Sequence, residues 1–320
     1  MKTIVAATNR RKNGSLKRGM SLQGRRSMGM LMMALPGILL VLIFNYVPMA
    51  GVLIAFKNFK NNLGFFGSEW VGFKNFEFIF KSQDAFRIIS NTLGYNLLFI
   101  ITGTICAIVV ALLLNSVHNR KAIKFYQTAY FLPYFISWVL VGYMARTLFE
   151  FDKGILNQIL VALGMDKISW YQEKGPWWLI FILANIWKQI GVQSVIYYGS
   201  IMSIDQGLFE AAEIDGCGRL GRIRYITLPL LKPTVVILTI LAVGNIMRAD
   251  FGLFYYLPNN SGMLYAVTDV IDTYIYRALR ETGNISGSAA VGLFQSAIGF
   301  ALVMITNFFA KKADESLALI

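Results

Sequence analysis

The sequence predicts an all-α integral membrane protein that crosses the bilayer six times, with both termini in the cytoplasm. Its 320 residues are 56% hydrophobic and only 15% charged, whereas soluble domains carry about 25% charged residues. Apolar runs near the ~20 residues that a helix needs to cross a bilayer occur at about 31–56, 90–114, 126–149, 177–200, 234–257 and 288–310. Composition and spacing together predict a helical membrane bundle.

The sequence defines the ends of some predicted spans less clearly than the ends of others. The third contains Arg146, and the fifth contains Arg248 and Asp250, so charge blurs the ends of these two. The first follows a long basic leader and shows no small-residue cleavage pattern, unlike a cleaved signal peptide. Trp177 and Trp178, at the start of the fourth, are predicted to anchor it at the membrane interface.

Charge placement predicts the orientation. With six spans, both termini share one side of the membrane with the loops near 115–125 and 201–233. That side holds 17 Lys and Arg against 6 Asp and Glu, while the opposite side holds 10 of each. Because Lys and Arg mark the cytoplasmic face, the first side is predicted to be cytoplasmic.

The same reasoning divides the chain into three parts. Residues 1–30 form a basic cytoplasmic tail, 31–310 a transmembrane domain, and 311–320 a short cytoplasmic tail. We interpret the basic tail as a topology signal or a contact with the anionic headgroups of the lipid bilayer. This interpretation is preferred to a nucleic-acid site, and no nucleic-acid partner is expected.

The cytoplasmic segment 203–233 has the pattern of two short helices joined by a glycine turn. Ser203 and Asp205 can cap the first helix, and the good helix former "LFEAAEID" follows. Gly216 and Gly218 interrupt it, as glycine does where a chain turns sharply or packs closely, and the amphipathic "RLGRIRYITL" resumes. Pro229 and Pro233 are predicted to end this piece and begin the fifth span. Periodicity alone would also fit an interfacial amphipathic loop.

The spacing inside this segment carries a family resemblance. Glu210-Ala211-Ala212, three residues, Gly216, nine residues and Ile226-Thr227-Leu228-Pro229 match the EAA signature of ABC importer permeases without a gap. The stretches "FYQTAYFLPYFISWVLVG" and "TDVIDTYIYRALRETGNISGSAAVGLFQS" resemble the polysaccharide subgroup of carbohydrate-uptake permeases, related to the maltose-type permeases. The resemblance covers about residues 30–315.

This resemblance implies a type I ABC importer permease fold in the bacterial cytoplasmic membrane. It implies four kinds of partner: a second, related permease chain, two ATPase subunits, an extracellular sugar-binding protein and an oligosaccharide substrate. The EAA region would be a coupling helix seated in a cleft of the ATPase. The residues implied in coupling are Glu210, Ala211, Ala212, Asp215, Gly216, Leu228 and Pro229.

The chemistry of ATP is expected on another chain. No G-x-x-x-x-G-K-[ST] phosphate loop occurs in this sequence, and that loop is what cradles the phosphates of ATP in such ATPases. ATP and Mg²⁺ are therefore expected on the partner ATPase, with no cofactor on this chain. The single histidine, His118, argues against a His-based metal site or catalytic centre, so no enzyme activity is expected of the chain itself.

Polar side chains inside the spans predict the path of the substrate. Four of them recur every four residues along the fourth span, and so share one helical face: Asn185, Gln189, Gln193 and Tyr197. In the fifth span, Asn245 and Arg248 add an amide and a guanidinium. Polar groups in a bilayer are costly and tend to face a cavity, and these groups suit sugar hydroxyls.

Other roles for these residues stay open. The four polar residues from Asn185 to Tyr197, which form a polar stripe on the fourth span, could instead make helix–helix hydrogen bonds. Arg248 could pair with Asp250, and Lys188, beside the stripe, could be a structural ion-pair partner.

The sequence therefore predicts the permease subunit of an ATP-driven importer that takes up oligosaccharides from an extracellular binding protein. The alternative is an ion-coupled secondary sugar transporter, for which intramembrane acidic residues and internal repeats would be expected. Asp250 is the only acidic residue in a predicted span, and no repeat is visible. A membrane enzyme would need a nucleophile with a base, or a metal cluster.

Overall fold

The structure, a computed structural model, describes residues 22–313, and the environments of side chains from residue 30 to residue 312. Of the predicted cytoplasmic tails, residues 1–21 and 314–320 lie outside the described residues. Packing divides the chain into two units, residues 1–51 and residues 52–320. In the first unit, the side chains from Met30 to Ala50 are exposed.

Helices make up almost all of the regular structure in the described part of the chain. The α-helices are Leu22–Val41, Val47–Met49, Gly64–Gly67, Glu77–Lys81, Gln83–Asn115, Arg120–Phe135, Trp138–Leu148, Ile155–Ala162, Trp177–Met202, Gln206–Ile214, Arg219–Arg222, Leu228–Gly244, Phe251–Tyr256, Tyr265–Thr268, Ile271–Arg280 and Ile285–Ala313. There are π-helical turns at Leu42–Tyr46 and Ile223–Thr227, and 3-10 segments at Ala50–Phe56, Gly72–Phe76 and Gly262–Leu264. The strands Lys57–Asn58 and Glu69–Trp70 pair antiparallel, with Lys57 opposite Trp70.

Side-chain caps mark where several helices begin. Ser82 Oγ accepts a hydrogen bond from the backbone nitrogen of Asp84 at 3.2 Å, before helix Gln83–Asn115. Asn119 Oδ1 accepts one from the backbone nitrogen of Lys121 at 2.9 Å, before helix Arg120–Phe135. Such caps satisfy N–H groups that have no partner inside the helix. Short polar residues therefore set these helix starts.

Among residues 22–313, five helices are long and apolar enough to cross a membrane. We number them to match the predicted spans: the first, Met30–Phe56; the second, Gln83–Asn115; the fourth, Trp177–Met202; the fifth, Arg219–Gly244; and the sixth, Ile285–Lys312. A sixth crossing exists only if the helices Arg120–Phe135 and Trp138–Leu148 count as one span. The predicted all-helical membrane architecture is confirmed, and the count is five or six.

The third predicted span, 126–149, was wrong as a continuous helix. The helices Arg120–Phe135 and Trp138–Leu148 meet at an angle of 91°. Pro133 lies in the last turn of the first helix, where proline removes a backbone donor and disfavours continuation. Ser137 Oγ then accepts from the backbone nitrogen of Leu140 at 3.3 Å and begins a new helix. A proline followed by a serine cap explains the bend.

The fifth predicted span, 234–257, was also misplaced. The helical segment runs from Arg219 to Gly244, through both Pro229 and Pro233, so these prolines do not end a helix. The π-helical turn Ile223–Thr227 comes just before Pro229. A π turn changes the local hydrogen bonding, and so accommodates a ring that would clash with the carbonyl four residues earlier.

The largest core of the second unit is aromatic. Trp177 is fully buried, and its ring lies 5.3 Å from that of Phe181, which lies 4.5 Å from Phe254. Trp177 Nε1 donates to the backbone oxygen of Trp170 at 2.7 Å. Trp178 stacks on Tyr95 with centroids 4.0 Å apart. The prediction that Trp177 anchors the helix at the membrane interface is wrong, because neighbouring aromatic rings and a backbone carbonyl satisfy the indole inside the protein.

The fourth span packs closely on helix Arg120–Phe135 through a glycine. A Cβ added at Gly191 would lie 2.2 Å from the backbone oxygen of Tyr130, so only glycine permits this approach. One turn earlier, Lys188 is buried and donates to the backbone oxygen of Ile136. Its Nζ also lies 4.8 Å from the ring centroid of Trp138. The partner of Lys188 is therefore a free carbonyl at the bend and an aromatic face, instead of a carboxylate.

Candidate functional site

A cavity of about 420 Å³ lies between the second, fourth and fifth spans. All six residues predicted to line a substrate path lie in its wall: Asn185, Gln189, Gln193, Tyr197, Asn245 and Arg248. The apolar part of the wall includes Phe99, Ile196 and Leu238. The cavity therefore combines hydrogen-bonding groups with apolar surface, as small-molecule sites usually do.

The fourth span has one face packed against other helices and an opposite face that lines the cavity. This division explains why its polar residues recur every four positions. Gly191 packs against helix Arg120–Phe135, and Lys188, three residues earlier, contacts the Ile136 carbonyl at the bend and the ring of Trp138 beyond it. The amides of Gln189 and Gln193, four residues apart, lie on the cavity side and are only half-buried. Tyr197 closes the stripe and is 2% exposed.

The second span makes room for the stripe. A Cβ added at Gly103 would lie 3.0 Å from Gln193 Oε1, so the absence of a side chain there lets the glutamine lie against this helix. The same helix contributes Asn96 and Thr104 to the cavity wall. From the sequence, Asn96 is predicted only to pack within the bundle, and Thr104 is given no role. Their separation of eight residues places them on one face of a helix, and this spacing is the signal that could have found them.

Arg248 does not pair with Asp250. Of the ion pairs formed by the described residues, none includes Arg248. Asp250 instead accepts from Trp138 Nε1 at 2.6 Å, and its other oxygen accepts from the backbone nitrogens of Gly252 at 3.0 Å and Leu253 at 3.3 Å. The Asp250 carboxylate therefore binds groups at the bend and at the start of a short helix, whereas Arg248 lines the cavity.

A larger cavity, of about 580 Å³, lies beside helix Trp138–Leu148 and the N-terminal half of the fourth span. Its walls are almost wholly apolar, with side chains such as Leu148, Leu179 and Trp187. It offers almost no polar surface to a sugar, so we assign the candidate substrate site to the smaller, polar cavity.

The segment 203–233 folds as the predicted pair of helices joined by a glycine turn. Asp205 Oδ1 accepts from the backbone nitrogen of Gly207 at 3.0 Å and caps helix Gln206–Ile214. Gly216 has φ +74°, a conformation that favours glycine. Backbone bonds from Gly216 to Glu213 (3.1 Å) and from Cys217 to Ala212 (2.8 Å) complete the turn. This is the Schellman pattern that ends many helices.

The predicted coupling residues lie in two places. Glu210, Ala211, Asp215 and Gly216 are exposed along the first helix and its turn, and Ala212 is half-buried. Leu228 and Pro229 are exposed farther along, on the fifth span after its π turn. Two large apolar side chains flank the Gly216 turn and are highly exposed, Ile214 at 87% and Leu220 at 82%.

The sequence matches a known family over most of these elements. The family described as "binding-protein-dependent transport system inner membrane component" matches residues 103–315. The polygalacturonan/rhamnogalacturonan transport system permease protein YteP of Bacillus subtilis (strain 168) is 39% identical over 284 residues, covering 89% of this chain and 88% of that protein. Protein LplB of the same organism is 35% identical over 291 residues, covering 91% of each.

Solved structures share the fold. A crystal structure of a bacterial alginate ABC transporter, in complex with an alginate pentasaccharide-bound periplasmic protein, superposes with a TM-score of 0.81 at 32% identity, covering 90% of this chain and 96% of that chain. A crystal structure of a bacterial ABC transporter involved in the import of the acidic polysaccharide alginate gives 0.82 at 32% identity, covering 91% and 97%. This chain therefore belongs to the family of binding-protein-dependent transport system inner membrane components, and it is an ABC transporter permease with the type I permease fold, of the carbohydrate-transport kind, in the cytoplasmic membrane.

Proposed function

We propose that this chain is the permease subunit of an ATP-driven importer that takes up oligosaccharides delivered by an extracellular binding protein. One observation carries the proposal: the polar stripe of the fourth span and Arg248 line a single cavity of about 420 Å³. Two of the three spans that form it, the fourth and the fifth, lie on either side of the Gly216 turn. A site for sugar hydroxyls is thus joined, through two continuous helices, to the predicted coupling segment.

The coupling segment supports a protein partner on the cytoplasmic side. Exposed apolar side chains such as Ile214 and Leu220 are costly in water and are typical of contact surfaces when they cluster. Glu210, one turn before Ile214, is exposed and forms no ion pair with the described residues. We propose that this surface docks into a separate ATPase that binds ATP and Mg²⁺, with Glu210 facing a basic residue there.

The remaining partners follow from the same proposal. A second, related permease chain would complete the translocation path, two ATPase subunits would drive it, and an extracellular binding protein would supply the sugar. The alginate transporter was crystallised with a pentasaccharide-bound periplasmic protein, which supports the last of these. Both termini of this chain would lie in the cytoplasm, as the charge distribution predicts.

We further propose that the substrate is an acidic oligosaccharide. YteP is named for polygalacturonan and rhamnogalacturonan transport, and both solved relatives are alginate transporters. Arg248 supplies a guanidinium at the cavity that no carboxylate of the described residues pairs with directly. A guanidinium binds a carboxylate strongly and with two parallel hydrogen bonds.

The alternative, an ion-coupled secondary sugar transporter, is not favoured. Proton coupling in transporters commonly uses an acidic residue within the membrane that takes up and releases the proton. Asp250 is held by Trp138 and by two backbone nitrogens, so it is occupied as a structural group. A relative named as a transport system permease protein, YteP, is 39% identical to this chain and is covered over 88% of its length.

ATP hydrolysis by the reconstituted complex tests this proposal. We expect hydrolysis to rise when the binding protein is loaded with an oligosaccharide. Glu210→Lys should reduce both coupling and assembly of the ATPase, while Glu210→Gln, which removes charge without reversing it, should reduce them less. Unchanged stimulated hydrolysis in Glu210→Lys would remove this residue from the coupling surface.

A further inference from the structure

The turn 245–250, which carries Arg248, interrupts the helical bundle and is held by side chains from other elements. Asn96 of the second span donates to the backbone oxygens of Ile246 at 2.8 Å and Arg248 at 3.1 Å. Gln295 of the sixth span, buried, donates to the backbone oxygen of Met247 at 2.6 Å. Backbone groups inside a protein need hydrogen-bond partners, so these amides fix the turn.

A charged side chain, that of Asp272, also contacts the turn 245–250. Its Oδ2 accepts from the backbone nitrogen of Ala249 at 2.7 Å, and from Gln295 Nε2 at 3.2 Å. Helix Ile271–Arg280, which carries it, is a separate element from the spans. The carboxylate is therefore anchored to the backbone of the residue next to Arg248.

Asp272 and Arg248 carry opposite charges at the same turn, so the charge of each acts on the other. Neither residue takes part in an ion pair within 4 Å among the described residues, whereas the neighbouring carboxylate, Asp269, pairs at 2.5 Å with Arg277. Burial raises the pKa of Asp272, while the hydrogen bonds from Ala249 and Gln295 and the charge of Arg248 lower it. Arg248 lines the cavity, and Asp272, which is not among the lining residues, contacts the backbone of the next residue, Ala249.

We propose that Asp272 is a specificity-determining residue of the substrate cavity: it holds the turn that presents Arg248 and offsets part of the positive charge that Arg248 shows to the cargo. The inference rests on the proposed function, because it concerns the same cavity. Its consequence is that the cavity attracts an acidic oligosaccharide less strongly than a bare guanidinium would. A cargo can then leave the cavity as well as enter it.

The test compares two probes that differ only in charge: tetragalacturonate and its fully methyl-esterified, neutral form. Their dissociation constants are measured on the purified complex in detergent, without the binding protein, for the wild type and for Asp272→Asn. The amide oxygen can still accept from Ala249, so we expect normal accumulation of the variant. We expect tetragalacturonate to bind about 3- to 10-fold more tightly, and the neutral ester to bind as before.

The two probes separate a charge effect from a structural one. A displaced turn would weaken both probes alike, and that result, or loss of the folded variant, would overturn the proposal. Asp84→Asn makes the same change in net charge at an exposed ion pair with Arg87, and should leave both constants unchanged. Adding Asp272→Asn to Arg248→Gln should give no gain for tetragalacturonate; a gain that persists would contradict the assignment to Arg248.

Failure of the proposed function would look different. If the wild type binds neither probe, the cavity is not a site for such oligosaccharides. If it binds tetragalacturonate and Asp272→Asn leaves the ratio of the two constants unchanged, the cavity stands and Asp272 has no part in its selectivity.

Discussion

Glu213 and Arg222 form an ion pair of 2.8 Å across the Gly216 turn and so join the two helices of the segment 203–233. Glu213 lies on the helix before the turn, and Arg222 on the helix that continues into the fifth span. Together with the backbone bonds of the turn, the pair fixes the angle between the helices at two points. A segment held in this way can transmit a displacement into the bundle instead of absorbing it.

The glycine at this turn should be required for coupling. Gly216→Val forces a β-branched residue to φ +74°, where a side chain costs about 1–2 kcal/mol. A Cβ there would meet no atom within 4 Å, so the penalty is one of backbone strain alone. We expect substrate-stimulated ATP hydrolysis to fall several-fold, while the amount of permease in the membrane stays normal.

Gly218→Val is the matched control. Gly218 also has open space around it, but its backbone is at φ −65° and ψ 170°, where valine is allowed. This variant should keep most of the stimulated hydrolysis. Equal effects of the two substitutions would show that any side chain at the turn interferes, and would exclude the conformational explanation.

Removing a charged side chain from the cavity wall should reduce transport more than removing a neutral polar one. Gln189→Leu and Gln193→Leu each remove a neutral hydrogen-bonding group, worth about 0.5–1.5 kcal/mol, whereas Arg248→Met removes a charged one, worth about 1.5–3 kcal/mol. We expect transport efficiency to fall most for Arg248→Met, with basal ATP hydrolysis preserved in all three. Uptake of an oligosaccharide by the reconstituted complex measures the effect.

Two results bear on the alternative roles of these residues. Gln172→Leu, in an exposed loop outside the cavity, should leave uptake unchanged. Because Asp250 is bound to Trp138 and not to Arg248, adding Asp250→Asn to Arg248→Met should not restore uptake or yield. Rescue by this second change would make Arg248 a structural residue and remove it from the site.

Gly191 should be needed for the packing of the fourth span. In Gly191→Ala the new methyl group would lie 2.2 Å from the backbone oxygen of Tyr130, so the two helices must separate, at a cost of about 1–3 kcal/mol. We expect a lower thermal midpoint of the solubilised protein. Gly199→Ala, on the same helix with open space around it, should be neutral or stabilising by about 0.4–1 kcal/mol. Equal midpoints for the two variants would contradict the close approach.

The stability of the protein should carry a pH signature of Asp272. Because burial leads to a net rise in the pKa of this carboxyl, the folded state holds its proton more tightly than the unfolded chain does. The resulting stabilisation is complete below the unfolded pKa of about 4, and it is lost as the pH rises through the higher folded pKa. Relative to Asp272→Asn, the wild type should therefore gain thermal stability as the pH is lowered from neutral towards about 4. A relative loss on acidification would indicate a lowered pKa.

Features of the structure could be predicted from the sequence where the type of residue alone decides the local conformation or the helix face. The four-residue repeat from Asn185 to Tyr197 predicted a face that the structure brings to one cavity, and Gly216 predicted a turn at positive φ. These are properties of a single helix or a single turn. They need no knowledge of what packs against them.

Tertiary contacts decided the rest. The burial of Trp177 depends on Phe181 and Phe254, and the partner of Lys188 depends on the Ile136 carbonyl that the bend presents from another helix. Nor did hydropathy separate the helix that ends at Gly244 from the turn that follows it. That turn is built by amides and a carboxylate from three distant parts of the chain.

The most direct test of the account is uptake of labelled tetragalacturonate into proteoliposomes that contain the assembled complex, with its binding protein outside and ATP inside. We predict that accumulation requires both ATP and the binding protein, and that it continues when ionophores dissipate proton and sodium gradients. Accumulation that proceeds without ATP and collapses with the ionophores would contradict the account and identify an ion-coupled transporter instead.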